Sequence, residues 1–111
     1  MRSKYHSRKV IIDGHIFDSQ KEGNRYVELK LLEKAKLIKD LQLQVPFVIL
    51  DGYKKNGKIV RAITYVADFV YFDNFLNKTI VEDTKGFRTE VYRIKKKMFE
   101  ARYPDMEISE I

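Results

Sequence analysis

The stretch "ADFVYFDNFLNKTIVEDTKG", residues 67–86, decides the fold. It contains two runs with β-branched and aromatic residues, Phe69 to Phe72 and Thr79 to Asp83, and the polar segment between them predicts a turn. Both runs carry acid at or inside a strand, where side chains are usually apolar or neutral. The stretch therefore predicts two neighbouring strands. The presence of the acidic residues Asp68 and Asp83 in these strands has to be explained by their chemistry.

The residues before this stretch predict a hairpin followed by a helix. "KVIIDGHIFDS" places Val10 to Ile12 and His15 to Phe17 around an Asp-Gly pair that suits a type I′ turn. Ser19 and Glu22 then form the S-x-x-E capping pattern, and good helix formers continue to about Ile38. Apolar residues lie around much of this helix, so we expect it to be largely buried.

Strand patterns return after the first helix and a second helix follows the acidic stretch. We expect strands at Phe47 to Leu50 and at Ile59 to Val66, joined by a turn through "GYKKNGK". The second helix should run from about Thr89 to Tyr103, and "MEISEI" predicts a last short strand. Four apolar residues of this helix share helical spacing and are expected to face the core: Val91, Ile94, Met98 and Ala101.

This order of elements predicts one α/β (α+β) domain over residues 1–111. Its core should be a single mixed β-sheet flanked by two helices, with the hairpin at the amino-terminal end. The chain is 44% hydrophobic and 13% aromatic, as expected of a folded domain. It has no cysteine, which excludes disulfides and thiolate zinc sites. No apolar run approaches a membrane span, so we expect a soluble, cytoplasmic protein.

The charge balance is typical of a protein that binds a polyanion. Lys and Arg number 22 against 16 Asp and Glu, which gives a net charge of +6 and a pI near 9.5. Many small basic proteins bind nothing specific, so the charge alone does not select nucleic acid.

The acidic residues of the two strands could form a metal site if their carboxylates lie close together. Side chains alternate faces along a strand, so Asp83 and Lys85 should share one face. If Asp68 begins the neighbouring strand, its carboxylate approaches that of Asp83, and the two repel unless a cation lies between them. Hard oxygen ligands select Mg²⁺ or Mn²⁺, which polarise phosphate and activate water. The alternative is a salt-bridged D-x-K pair on an exposed strand, with Asp68 as a strand cap.

The spacing of these residues resembles that of a known superfamily. Asp68, fourteen intervening residues and then Asp83-Thr84-Lys85 is similar to the PD-(D/E)xK nucleases, which include restriction endonucleases and Holliday junction resolvases. Over nearly the whole chain, "IFDSQKEGNRYVELKLL", "LQLQVPF", "YVADFVY" and "VEDTKG" resemble a family of small uncharacterised phage and prophage proteins close to those resolvases. One departure is Ala67, where the superfamily's name has Pro.

The resemblance implies a restriction-endonuclease-like core and a metal-dependent DNA endonuclease, with branched DNA among its candidate substrates. It makes Asp68 and Asp83 ligands of Mg²⁺ or Mn²⁺, the Thr84 carbonyl a third ligand and Lys85 the catalytic lysine. It also implies a phage or prophage protein acting in the cytoplasm of a bacterial host. One domain of this size has one active site, so paired cuts on two strands predict a homodimer.

The superfamily also places a glutamate of its first helix near the metal, and two residues could fill that position. Glu22 and Glu28 lie about 240° apart around the helix, so only one can face the ion. We favour Glu22, against the alternative that it serves only as the capping partner of Ser19. Gln44 is a further candidate, against the alternative of an ordinary edge-strand glutamine.

A basic group follows the motif at the start of the second helix, where phosphate would meet backbone N–H groups and the positive end of the helix dipole. The amino-terminal arm and the turn at "YKKNGK" are weaker candidates, and each basic cluster could instead be a solvated face. His6 and His15 are expected to be surface residues. The rival function is a non-catalytic nucleic-acid-binding phage protein that keeps the nuclease fold; a structural phage protein would leave the acidic strands unexplained. The predicted DNA-binding residues are Arg88, Thr89, Arg93, Lys96 and Lys97.

Overall fold

A computed structural model describes residues 8–84 and 88–111 of the chain. These residues form two helices, a four-stranded mixed sheet and two separate two-stranded sheets. The α+β class, the mixed sheet, the two flanking helices and the amino-terminal hairpin are confirmed, and each of the two hairpins forms a small sheet of its own beside the main one. The elements in chain order are β1 (Val10–Ile12), β2 (His15–Phe17), α1 (Gln20–Lys34), β3 (Ile38–Leu50), β4 (Tyr53–Lys55), β5 (Lys58–Val60), β6 (Ile63–Asp73), β7 (Lys78–Asp83), α2 (Glu90–Arg102) and β8 (Ile108–Glu110).

The amino-terminal hairpin is confirmed, and it packs closely on α1. Asp13 and Gly14 have φ values of 53° and 80°, as a type I′ turn requires. A Cβ at Gly23 would lie 2.7 Å from Cγ2 of Val10, so only glycine lets the hairpin approach the helix this closely. The hairpin is thereby held over the first turns of α1.

Helix α1 is shorter and less buried than predicted. Ser19 caps it through a hydrogen bond from the Glu22 N–H, 3.1 Å long, but the helix ends at Lys34. Lys36 has a φ of 63°, which reverses the chain so that Ile38 begins β3 instead of ending the helix. One face packs on the sheet while Leu31 stays 62% exposed, because the helix covers only one side of a thin layer.

The central strands are longer than predicted. β3 begins at Ile38, nine residues before the expected start. The expected strand Ile59 to Val66 is divided between β5 and β6, and β6 continues through Asp68 to take in Phe69 to Phe72. The expected turn at "GYKKNGK" is a hairpin of its own, β4 and β5. The main sheet has the order β3-β6-β7-β8, with antiparallel pairs except for the parallel pair β7-β8.

Each face of this sheet packs against one helix. Tyr26 and Leu29 of α1 join Phe69 and Tyr71 on one face. On the other face α2 contributes Tyr92 and Phe99, together with Tyr65, Val81 and Ile108. The strands that carry the acidic motif are therefore enclosed on both sides.

The bounds of α2 agree with the prediction, but its buried face does not. Thr89 caps the helix and Tyr103 ends it. Val91 and Ile94 are 62% and 51% exposed, Ala101 is exposed, and only Met98 of the expected group packs on the core. The larger rings of Tyr92 and Phe99 take the core positions, since aromatic burial removes more apolar surface from water. Neither helix is long and apolar enough to cross a membrane, as far as the described residues extend.

Candidate functional site

Asp68 lies inside β6, not at its beginning as predicted, and at an interruption in strand pairing. The β6–β7 ladder runs from Asp73↔Lys78 to Phe69↔Glu82 and ends there, directly beside Asp68. On the other side Leu43 pairs with Phe69 and Val45 with Ala67, so Gln44 lies opposite Asp68. The sheet therefore offers polar side chains at this point instead of a continuous ladder.

The Asp68 carboxylate replaces the missing ladder contacts. Its Oδ2 accepts hydrogen bonds from the backbone N–H and the hydroxyl of Thr84, both 2.8 Å long. Its Oδ1 accepts one from Nε2 of Gln44 at 3.3 Å. These donors explain how an acid is tolerated inside the strand. They bring the N–H and hydroxyl of Thr84 to Asp68, whereas the predicted role of Thr84 as a metal ligand concerns its carbonyl.

Glu22 reaches the same point from α1. Its Oε2 accepts a hydrogen bond from Nε2 of Gln44 at 3.0 Å, so one amide bridges the carboxylates of Glu22 and Asp68. Its Oε1 accepts the N–H of Asp18 at 3.1 Å. Glu22 thus supports the helix start and faces the site at once. Glu28 is 63% exposed beside Arg25, away from this group.

Gln44 has an unusual backbone that suits its bridging position. Its φ of 52° lies in the left-handed region, which is uncommon for a residue with a Cβ. Such conformations persist where the surrounding structure fixes them, and they cluster at functional sites. The sequence pattern indicated an edge-strand glutamine, and β3 is indeed an edge strand, but no local signal predicted this backbone.

Burial and the neighbouring carboxylate raise the pKa of Glu22 from 4.5 to about 7. Only 4% of Glu22 is exposed, so its charged form loses hydration. The charge of Asp68 and a hydrogen bond between the two carboxyls raise the pKa further. A cation placed between them would reverse this effect by favouring both charged forms.

This pKa predicts how stability depends on pH. A carboxyl whose pKa is raised in the folded state stabilises the fold when protonated, and that stability is lost as pH rises from about 4.5 through about 7. Glu22→Gln should remove this dependence and be more stable than wild type at about pH 8, by up to about 3 kcal/mol. Urea unfolding across this pH range measures it.

The matched control is Glu28→Gln, an exposed carboxyl on the same helix, which should change stability by less than about 0.5 kcal/mol at any pH. A Glu22→Gln variant that is less stable than wild type at both ends of the range would contradict the raised pKa. It would give the carboxylate a purely structural role at the helix start.

Asp83 is fully buried and lies towards α2. Its Oδ2 accepts a hydrogen bond from the Tyr65 hydroxyl at 2.6 Å. The Tyr65 ring packs on Tyr92 and Phe99 of α2, and burial followed by the Asp83 contact raises the pKa of Tyr65. The structure therefore places the Asp83 carboxylate on the opposite side of β7 from Glu82, whereas Asp68 bonds to the next residue along that strand, Thr84.

A buried ion pair fixes α1 against β7, and the sequence analysis missed it. Nε and Nη2 of Arg25 donate to Oε1 and Oε2 of Glu82 at 2.8 and 2.6 Å, and the Tyr71 hydroxyl donates to the same Oε2. Glu82 is 1% exposed and the Arg25 side chain 20%. Because Arg25 lies one helical turn after Glu22 and Glu82 precedes Asp83, this pair sets the position of Glu22 relative to the acidic strand.

The predicted DNA-binding residues lie in α2 and just before it, and they have three different environments. Arg88 and Lys96 pair with Glu110 of β8, at 2.7 and 3.5 Å, and these contacts together with the Tyr92 hydroxyl lower the pKa of Glu110 to about 2. Thr89 caps the helix through a hydrogen bond from the Tyr92 N–H. Arg93 and Lys97 are exposed at the edge of a hollow of about 220 Å³ on this face.

The oxygen ligands predicted for a metal are only partly gathered. Within residues 8–84 and 88–111 no group of three His, Cys, Asp or Glu side chains is close enough to hold a metal ion. Lys85, the predicted catalytic lysine, lies outside the described residues. Glu22 and Asp68 supply carboxylate oxygens, the ligands that a hard divalent cation prefers, and the Gln44 amide nitrogen that now lies between them would have to give way to the ion.

Fold and site together define a small mixed α+β protein with a pair of carboxylates at the point where the pairing of β6 and β7 ends. The chain belongs to the family described as "Protein of unknown function (DUF1064)", which matches residues 2–111. Comparison with curated proteins and with solved structures yields no match.

Proposed function

We propose that the protein is a metal-dependent DNA endonuclease of the PD-(D/E)xK type, close to the Holliday junction resolvases in fold and chemistry. The observation that carries this proposal is the pairing of Glu22 and Asp68 through the amide of Gln44. A buried carboxylate beside a half-buried one is costly unless a cation joins them. A purely structural role for them would be better served by neutral side chains.

The contacts support a specific division of roles. Glu22 and Asp68 would hold Mg²⁺ or Mn²⁺, with the Thr84 carbonyl as a further oxygen ligand. Asp83, which now bonds to Tyr65 on the other side of β7, would join them by exchanging that contact for the ion. The bound ion would polarise the scissile phosphate and lower the pKa of the attacking water. Lys85 would orient that water or offset the charge that develops on the phosphate. Without the ion, Gln44 keeps the two carboxylates aligned by its hydrogen bonds. When the ion binds, these hydrogen bonds would be released.

DNA would approach along the face that bears the basic side chains of α2. Arg93 and Lys97 are exposed there, whereas Glu110 already neutralises part of the charge of Arg88 and Lys96. Contacts of this kind go to phosphates, so binding would be insensitive to sequence. Cutting both strands of a branched DNA would require a homodimer, with one site from each copy.

A second candidate is a nucleic-acid-binding protein that keeps the nuclease fold without its chemistry. The contact between Asp83 and the Tyr65 hydroxyl favours this candidate, because a carboxylate held by a tyrosine is a poorer metal ligand. In the nuclease this hydrogen bond must weaken when the ion binds. The two candidates differ in what Lys85 does.

Lys85→Ala separates the two functions. As a catalytic group Lys85 stabilises the transition state, so its removal should slow single-turnover cleavage about a hundredfold or more while DNA affinity is kept. Lys78→Ala is the matched control, since Lys78 is exposed at the other end of β7. The measurements are single-turnover cleavage in Mg²⁺ and equilibrium DNA binding in EDTA.

The nuclease would be contradicted by two results together. The wild-type protein would bind DNA in Mg²⁺ without cutting it, and Lys85→Ala would bind the same DNA more weakly. Lys85 would then be one phosphate contact among several, and the binding protein would be the better assignment.

A further inference from the structure

A hollow of about 520 Å³ adjoins the carboxylate pair and has no role in the chemistry described above. It lies between the amino-terminal hairpin, α1 and β3. Gln44 lines it and also bonds to Glu22 and Asp68, so the hollow lies next to the acidic centre. Its principal lining residues are His15, Phe17, Tyr26, Lys30, Leu43 and Gln44.

The walls of this hollow combine apolar surface with a polar edge. The Phe17 and Tyr26 rings pack 5.0 Å apart and are almost fully buried beneath the hollow, so the exposed His15 ring, edge-on to Tyr26 at 5.6 Å, is the aromatic surface open to a ligand. Ile16, 66% exposed, extends the apolar wall at the rim. The Tyr26 hydroxyl is fixed by a hydrogen bond to Asp13 at 2.8 Å. A flat ring system with polar groups on its edge has the matching chemistry.

The charge at the hollow suits a nucleotide. Lys30 lies at the rim with about half of its side chain exposed, where it now pairs with Glu33 at 3.0 Å and can turn to a phosphate. The whole chain carries +6, so a polyanion is drawn to it. The volume lies in the range of about 300 to 1,000 Å³ typical of small-ligand sites, which is ample for one nucleobase with its sugar.

We propose that this hollow receives the unpaired base of a nucleotide next to the scissile phosphate, so that the substrate is DNA with an unpaired nucleotide at the cut site. This inference rests on the proposed function only in assuming that a phosphate next to the bound base is cleaved. A base inside a continuous duplex is stacked and paired, and it cannot enter a hollow without being extruded. DNA at a flap, fork or bulge presents such a base freely, and stacking on the exposed His15 ring, with apolar contact to Ile16, would hold it.

The test compares affinities in EDTA, where no metal-dependent cleavage occurs. Fluorescence anisotropy measures binding to a continuous DNA duplex and to the same duplex with an unpaired dinucleotide. Wild type should bind the second DNA about tenfold or more tightly, on the scale of one or two stacked bases. Ile16→Glu, which puts a negative charge at the rim of the hollow, should reduce that ratio to near one.

Ile11→Glu is the matched control. Ile11 pairs with Ile16 across the hairpin and is 71% exposed, but it does not line the hollow. The same charge there should weaken binding to both DNAs alike and leave their ratio unchanged. Circular dichroism checks that both variants keep the wild-type fold.

A wild-type ratio near one, or an equal fall of the ratio in both variants, would overturn the assignment of the hollow. The proposed nuclease is judged separately by cleavage in Mg²⁺. If both DNAs are cleaved at equal rates and the affinity ratio is near one, the base site is wrong but the nuclease stands. If the affinity ratio is high and neither DNA is cleaved, the nuclease is wrong but the base site stands.

Discussion

Asp68→Asn should lower DNA cleavage by about a thousandfold or more and leave DNA binding intact. The amide keeps the volume of the side chain and can still accept from Thr84, but it lacks the charge that holds a divalent cation. It also removes the repulsion that raises the pKa of Glu22, so that pKa should fall towards its ordinary value. Single-turnover cleavage in Mg²⁺ and in Mn²⁺, with binding measured in EDTA, gives both quantities.

Asp40→Asn is the control for this change. Asp40 is an exposed carboxylate on β3, and its φ of 57° is one that asparagine also adopts readily. It should cleave at the wild-type rate. Asp68→Asn that also cleaves at the wild-type rate, in protein freed of contaminating nuclease, would exclude Asp68 from the metal site.

The second large effect is on stability. Arg25→Met should cost about 3–5 kcal/mol of the free energy of unfolding, because it leaves the Glu82 carboxylate buried with only the Tyr71 hydroxyl as a partner among the contacts described here. Lys21→Met, an exposed change on the same helix, should cost less than about 0.5 kcal/mol. Urea unfolding measures both variants.

The double variant Arg25→Met, Glu82→Leu distinguishes the loss of a partner from the loss of packing. Removing both charges leaves no buried ion, so most of the stability should return. If it does not, the ion pair itself stabilises the fold. An unchanged stability in Arg25→Met alone would mean that α1 is held to β7 without this pair, and Glu22 would then lose its proposed positioning.

The parts of the fold that the sequence predicted are those with strong local signals. The Asp13-Gly14 pair, the Ser19 cap and the Thr89 cap each satisfy a short-range rule, and each appears where predicted. The end of α1 carried no such signal, since Lys36 adopts a positive φ without being glycine. Only Phe47 to Leu50 of β3 was predicted, because the part before Pro46 has no strand signal and includes two residues with positive φ, Asp40 and Gln44.

The sequence predicted those residues of the candidate site that belong to a recognisable motif, and it did not predict the others. The motif indicated that Asp68 lies near the end of β7, and Asp68 does bond there to Thr84, while α1 brings Glu22 to the same point. The Arg25–Glu82 pair joins residues 57 positions apart, so no local pattern indicates it. The bridging role of Gln44 depends on a backbone conformation set by tertiary packing. Long-range contacts of this kind follow from the assembled sheet, not from the strands read singly.

The most direct test of the central claim is the metal dependence of cleavage by the wild-type protein. Labelled linear, flapped, forked and four-way DNAs are incubated with Mg²⁺, Mn²⁺ or EDTA, with Asp68→Asn prepared in parallel to reveal contaminating nuclease. We predict cleavage in Mg²⁺ and Mn²⁺, none in EDTA, and none by Asp68→Asn in Mg²⁺. Cleavage that persists in EDTA, or that wild type and Asp68→Asn share equally, or no cleavage of any DNA in either metal, would contradict a metal-dependent nuclease built on Glu22 and Asp68.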